Sequence, residues 1–119
     1  MQSYKELVVW QKGIDLVVEV YKITETFPKS ELYGLMSQMR RAAVSIPANI
    51  TEGYCRKHRQ EYAQFIRIAF ASAGELETHI IIAKKLGFTT DSKCEKAESL
   101  LLEVMKMSNK LAQVVTNSR

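Results

Sequence analysis

The sequence predicts an all-α protein, built as an antiparallel, up-down-up-down bundle of four helices. Three observations lead to this fold class. Apolar residues recur every three or four positions along four long segments, which is the spacing of a helix face. Glycine and proline are scarce, with 5 Gly and 2 Pro among 119 residues, while 46% of the residues are hydrophobic. The joints between segments are short, so consecutive helices should lie side by side in opposite directions.

The first segment runs from about Leu7 to Phe27. Its apolar residues form two stripes, so we expect neighbours on two sides. One stripe comprises Leu7, Trp10, Ile14, Val17 and Tyr21, and the other comprises Leu16, Val20, Ile23 and Phe27. Ser3 and Glu6 have the spacing of a capping box in front of the helix. Pro28 ends the segment, because proline disfavours helix at the residue before it.

The second segment begins near Ser30 or Glu31 and ends at about Gly53, with Pro47 inside it. A proline within a helix removes one backbone hydrogen bond and clashes with the preceding turn, at a cost of about 3 kcal/mol. We therefore expect the second helix to be kinked near Pro47.

The third segment runs from about Arg59 to Leu86, where Gly87 stops the helix. Its apolar face is broader than one seam inside the chain requires, so part of it should contact another chain. Gly74 costs about 1 kcal/mol relative to alanine in a helix interior, which predicts close backbone packing there.

The fourth segment opens after Thr90 or Asp91 and continues to about Thr116, completing a single domain over residues 1–119. No stretch approaches the ~20 apolar residues of a membrane span. Charges interrupt the apolar stretch at the N-terminus, and two cysteines cannot form a disulfide framework. These features predict a cytoplasmic protein that does not associate with a membrane.

Candidate metal ligands and nucleophiles are few. Cys55 and His58 have the spacing of half a zinc site, and His79 with Cys94 would complete four ligands. The predicted bundle places Cys94 at the opposite end from Cys55, which argues against this site. Cys55 with His58 as nucleophile and base lacks an orienting carboxylate. No glycine-rich phosphate loop or Glu-x-x-His pair is present. We therefore expect no metal, no cofactor and no enzyme activity.

Polar residues at helical spacing form a stripe along the second segment. We expect an internal network in which one arginine pairs with a glutamate of the third segment, and Ser45 or Asn49 satisfies backbone groups freed by Pro47. Contact with a ligand or a nucleic acid is the alternative. The residues assigned to the network are Gln38, Arg40, Arg41, Ser45, Asn49, Glu52, Glu75 and Glu77.

The basic surplus is concentrated at one end of the predicted bundle. Seventeen Lys+Arg against thirteen Asp+Glu give a net charge of +4. Residues 1–14, 48–66 and 105–119 carry eight basic and three acidic residues, or +5, and the remainder carries nine and ten, or −1. The candidate phosphate-binding residues are Lys5, Arg56, Lys57, Arg59, Lys106 and Lys110. Tyr54 and Tyr62 lie near enough in sequence to stack on bases. The alternative is a solvated turn that maintains solubility.

Several stretches together resemble one bacterial family. They are Leu7-Val-Val-Trp10-Gln-Lys12, Phe27-Pro28-Lys29, Tyr33-Gly34-Leu35, the run from Gln38 to Gly53 with its Arg-Arg-Ala-Ala-Val-Ser-Ile-Pro core, and Glu75-Leu-Glu77-Thr. Nearly the whole chain is similar to four-helix-bundle proteins encoded in intervening sequences of large-subunit ribosomal RNA genes. The resemblance implies a homopentameric ring. A related branch, the accessory proteins of diversity-generating retroelements, implies basic pentamers that bind nucleic acid and a reverse transcriptase.

The sequence thus favours a non-enzymatic homopentamer that binds RNA or DNA phosphates through its basic end, without reading base sequence. The alternative is a structural adaptor that uses the ring to present a partner protein such as a reverse transcriptase.

Overall fold

The computed structural model describes residues 3–117, and these residues form helices joined by short turns. Helix α1 spans Val8–Thr24, α2 spans Leu35–Tyr54, α3 spans Arg59–Lys85 and α4 spans Asp91–Asn117. Two single-turn 3-10 helices, Tyr4–Glu6 and Lys29–Glu31, precede α1 and α2. No strand occurs within the described range, so the predicted all-α, four-helix class is confirmed. None of these helices has the length and apolar character needed to cross a membrane.

Each helix packs against two neighbours, in the order α1, α2, α3, α4 and back to α1. Near the start of α1, Trp10 Nε1 donates a hydrogen bond to Thr51 Oγ1 near the end of α2, at 3.0 Å. Near the start of α3, Arg67 Nη2 donates to Thr116 Oγ1 near the end of α4, at 2.9 Å. In both pairs, the start of one helix lies beside the end of the next; the antiparallel order of the whole bundle stays a prediction.

Local capping explains where the helices begin and end. Helix α2 begins later than expected, because Glu31 belongs to a 3-10 turn and its side chain accepts a hydrogen bond from the Leu35 N–H at 3.0 Å. Gly87 stops α3 as predicted, with a φ of +78° that disfavours any other residue. The Thr90 hydroxyl accepts from the Lys93 N–H at 3.3 Å and caps α4.

The two apolar stripes of α1 have different surroundings. The stripe through Leu16, Val20 and Ile23 is buried in the core. In the other stripe, Ile14 and Tyr21 remain exposed. Burying a full aliphatic side chain contributes about 1.5–3 kcal/mol, so the stripe through Leu16 holds α1 in the bundle. The stripe through Ile14 leaves an apolar surface on the outside.

Helix α2 approaches α3 closely near its C-terminal end. A Cβ atom added at Gly53 would lie 2.8 Å from Phe65 Cβ and 3.0 Å from the Tyr62 carbonyl oxygen, both on α3. Pro47 is buried inside α2, which is helical from Leu35 to Tyr54. The kink near Pro47 stays a prediction.

The close packing predicted at Gly74 does not occur within the described chain. A Cβ atom added there would meet no atom of the described chain within 4 Å. The contact that requires glycine lies instead at Gly53, where α2 approaches α3 just before its last residue.

Exchanging each of these glycines for alanine separates helix propensity from packing. Gly74→Ala should raise the free energy of unfolding by about 0.5–1 kcal/mol, because alanine loses less backbone entropy in a helix. Gly53→Ala should lower it by about 1–3 kcal/mol, because the added methyl overlaps α3. Urea denaturation monitored by circular dichroism measures both changes. Equal stabilisation by the two variants would contradict the tight contact at Gly53.

Candidate nucleic-acid interface

Four aromatic rings join three parts of the chain at one end of the bundle. The Tyr4 ring lies 5.5 Å from the Trp10 ring and 6.3 Å from the Tyr54 ring, between centroids. The Tyr54 ring lies 5.9 Å from that of Tyr62. All three contacts are edge-to-face, and such pairs contribute about 0.5–1.5 kcal/mol each beyond burial. This aromatic cluster fixes the first 3-10 helix to the end of α2 and the start of α3.

The basic turn, Arg56 to Arg59, follows directly from the end of α2, and its side chains are exposed. The Arg56 guanidinium lies 4.9 Å from the centroid of the Phe65 ring and 3.6 Å from a Glu52 carboxylate oxygen. The exposed ion pair contributes at most about 1 kcal/mol and leaves the arginine accessible. Lys57 and Arg59 are also exposed, so the turn presents three cations to solvent.

The aromatic cluster brings Lys5 to the same end as the basic turn. The Lys5 side chain is exposed, and both its backbone N–H and its backbone carbonyl form hydrogen bonds. Its N–H donates to Ser3 Oγ at 3.1 Å, and its carbonyl accepts from Gln11 Nε2 at 2.9 Å. The predicted capping box between Ser3 and Glu6 is confirmed, although it caps the 3-10 helix in front of α1.

Lys106 and Lys110 form a separate pair on α4. They lie one turn apart and line a shallow cleft of about 350 Å³ with Met107, Leu111 and Val114. The structure therefore groups Lys5 with Arg56, Lys57 and Arg59, and it places the two α4 lysines beside an apolar surface. Arg119, which also belongs to the basic half of the sequence, lies outside the described residues.

Tyr54, at the end of α2, and Tyr62, in the first turn of α3, lie on either side of the basic turn in the sequence. Both are half-buried, and their rings pack edge to face. Burial, and to a lesser extent the neighbouring Tyr54, raise the pKa of the Tyr62 phenol. Stacking of these two rings on bases stays a prediction.

The polar stripe of α2 makes hydrogen bonds along and across the α2–α3 seam. Asn49 Nδ2 donates to the Ser45 carbonyl at 2.7 Å and to Ser45 Oγ at 2.8 Å. Ser45 Oγ in turn shares a hydrogen bond with Ser72 Oγ of α3 at 2.9 Å. The carbonyl that loses its helical donor to Pro47 is that of Ala43, so Asn49 serves a different carbonyl from the predicted one.

Arg40 contacts α1 and does not form the expected pair with a glutamate of α3. Its Nε donates to Thr24 Oγ1 at 2.8 Å, its Nη2 donates to the Tyr21 carbonyl at 3.4 Å, and its guanidinium lies 4.3 Å from the Tyr21 ring centroid. Arg40 therefore secures the end of α1 to α2. Among the residues assigned to the polar network, those with exposed side chains are Gln38, Arg41, Glu52, Glu75 and Glu77.

The candidate metal ligands are dispersed. Cys55 is exposed just before the basic turn, and Cys94 is buried beside Thr89, with Thr89 Oγ1 and Cys94 Sγ 3.4 Å apart. His79 is buried on α3, with Nε2 3.6 Å from a Glu75 carboxylate oxygen. Within residues 3–117, no three or more His, Cys, Asp or Glu side chains lie where they could hold a metal ion.

Sequence reasoning missed Tyr4 and Trp10 as parts of the site. The sequence does contain a signal for them. Both segments assigned to the basic end, the first ten residues and the residues around the α2–α3 turn, contain aromatic residues.

Comparison with known proteins identifies a family. A family model described as 23S rRNA-intervening sequence protein matches residues 5–110, a range that includes Lys5, the basic turn, three complete helices and most of α4. No match to a curated protein is found for the chain.

The raised pKa of Tyr62 gives a test of the aromatic cluster. A phenol that ionises at higher pH in the folded protein than in the unfolded chain lowers stability as pH rises above its unfolded pKa of about 10. The wild type should therefore lose more stability than Tyr62→Phe between neutral pH and pH values above about 10. Thermal denaturation across that range measures the difference. Parallel loss in both proteins would contradict burial of this phenol.

Proposed function

The chain belongs to the 23S rRNA-intervening sequence protein family, and on that premise we propose that it is a non-enzymatic, self-assembling protein that binds the phosphates of RNA or DNA. The observation that carries the proposal is the exposed basic turn, Arg56 to Arg59, which lies at the same end of the bundle as Lys5, where the aromatic cluster joins Tyr4 to Tyr54 and Tyr62. Because these cations have a defined position on a rigid end of the bundle, they form one surface for a negatively charged backbone.

Charge and helix geometry support phosphate binding at this end. Its sequence segments carry +5, whereas the rest of the chain carries −1. Lysine and arginine bind phosphates with release of condensed counterions, so affinity depends steeply on salt. Helix α3 starts at Arg59, and the positive end of its dipole adds to the same field.

The proposed binding does not read base sequence. The cations reach phosphates equally well on any sequence, and phosphate contacts carry no sequence information. RNA and DNA of similar length should therefore bind with similar affinity, and no catalytic step, metal or cofactor takes part. This role places the protein in the cytoplasm, where nucleic acid is available.

Self-assembly, with a homopentamer as the expected form, would multiply a weak contact. Exposed apolar side chains on α1 and α3, among them Val18, Ile68 and Ile82, support association of copies. Five copies would present five basic turns to one nucleic acid chain, and binding of the first raises the effective concentration of the others.

A second candidate function is an adaptor for a partner protein. The apolar cleft on α4 favours it, because Met107, Leu111 and Val114 offer a protein surface beside Lys106 and Lys110. A reverse transcriptase is the partner that the family resemblance implies.

Neutralising the basic turn should weaken nucleic-acid binding and reduce its dependence on salt. In the triple variant Arg56→Ala, Lys57→Ala and Arg59→Ala, loss of three phosphate contacts should lower the slope of log K against log salt by about 2 for single-stranded probes. Fluorescence anisotropy with short RNA and DNA probes at several salt concentrations measures this slope.

A matched control removes the same charge from the opposite end, in the variant Lys29→Ala, Lys85→Ala and Lys93→Ala. All three lysines are exposed. The control should keep a slope close to the wild-type value. Equal losses in both variants would show that net charge, and not the basic turn, determines binding. No binding by the wild type at low salt would favour the adaptor function.

A further inference from the structure

A shallow apolar groove runs along the outer seam between α1 and α2. Val18, Tyr21 and Val44 lie along it and are 49%, 42% and 43% exposed. Single exposed apolar residues are ordinary, whereas a contiguous set indicates a contact surface. The groove contains two adjoining cavities of about 770 and 390 Å³, and the walls of both include Tyr21, Met36 and Arg40.

Helix α3 presents a ridge on the face next to α2. Ile68, Glu75 and Ile82 are spaced by seven residues, so they lie one above another on the helix surface. The isoleucines are 44% and 41% exposed, and the glutamate between them is also exposed. Ala71 and Thr78 lie one turn after Ile68 and Glu75, and their smaller side chains let the ridge stand out from the helix.

The groove and the ridge have opposite charge. Lys22, Arg40 and Arg41 line the two cavities of the groove, against one acidic residue, Glu25. Arg41 is exposed and makes no ion pair or hydrogen bond within the described range, residues 3–117.

The ridge carries the matching carboxylate. The partner of Glu75 in the chain is the buried imidazole of His79, at 3.6 Å. A guanidinium beside an apolar wall and a carboxylate between two isoleucines are complementary in both charge and shape.

We infer that the groove of one copy binds the ridge of a second copy, with Ile68 and Ile82 in the apolar groove and Glu75 paired with Arg41. This inference rests on the proposed self-assembly and names its interface. A second copy is the occupant that fits, because the same chain carries both the apolar surfaces and the opposite charges.

The two surfaces lie on different helices, so the contact is head to tail. Each copy uses its groove for one neighbour and its ridge for the other, which generates a ring when the rotation closes. All copies in such a ring have the same orientation relative to its axis. Their basic turns therefore lie at one level around the ring, where a single nucleic acid chain can contact several of them.

Two variants, each blocking one surface, test the head-to-tail contact. Val44→Glu places a carboxylate in the groove, and Ile82→Glu places one on the ridge; both positions are exposed, so the helices should form normally. Each variant alone should sediment as a monomer. An equimolar mixture should form a dimer containing one copy of each, because one variant keeps a working ridge and the other a working groove.

The control is Leu102→Glu on α4, a position that is 54% exposed and outside both surfaces. This variant should keep the wild-type mass, and circular dichroism should show the same helix content in all proteins. Wild-type mass in the groove and ridge variants would overturn the interface and leave self-assembly intact. A mixture that stays monomeric would overturn the head-to-tail pairing. A monomeric wild type would overturn self-assembly itself.

Charge exchange gives a second readout. Arg41→Glu and Glu75→Arg should each raise the dissociation constant of the assembly by about tenfold or more, since each places like charges across the contact. The double variant restores opposite charges and should return the constant to within about threefold of the wild type. If the double variant loses as much association free energy as the two single variants together, the Arg41–Glu75 pair is overturned.

Discussion

The close approach of α2 to α3 at Gly53 is the contact on which the rest of the site depends. Only a hydrogen fits between this backbone and the Tyr62 carbonyl and Phe65 Cβ. Because the helices meet there, the next ring along, Tyr54, reaches Tyr62, and Arg56 lies over Phe65. The basic turn is therefore positioned by helix packing and not by a network of its own charges.

The bundle carries two kinds of surface with different physical chemistry. Its basic end presents exposed cations, and salt screens the attraction of such cations to phosphates. The groove between α1 and α2 and the ridge on α3 are mainly apolar, with the exposed Arg41 in the wall of the smaller cavity and the exposed Glu75 between the two isoleucines. Apolar association is far less sensitive to salt. The proposed assembly and the proposed nucleic-acid binding should therefore be separable by ionic strength.

The sequence predicted the four helices because burial imposes a three-to-four-residue period that any one segment displays. It did not predict the start of α2, which depends on the Glu31 side chain capping the Leu35 N–H. The partner of Arg40 was also missed, since the adjacent Arg40 and Arg41 point about 100° apart on a helix and spacing alone does not show which faces α1. The aromatic cluster joins residues such as Tyr4 and Tyr54, fifty positions apart, which periodicity within a segment does not relate.

The most direct test of this account is sedimentation velocity of the protein with a fluorescent RNA at low and at high salt, following protein and RNA separately. At low salt the RNA should sediment with an assembly of several copies. At high salt the RNA should sediment alone while the protein keeps its assembled mass, because phosphate contacts are screened and the apolar interface is not. Protein that sediments as a monomer, or RNA that sediments alone at low salt, would contradict the account.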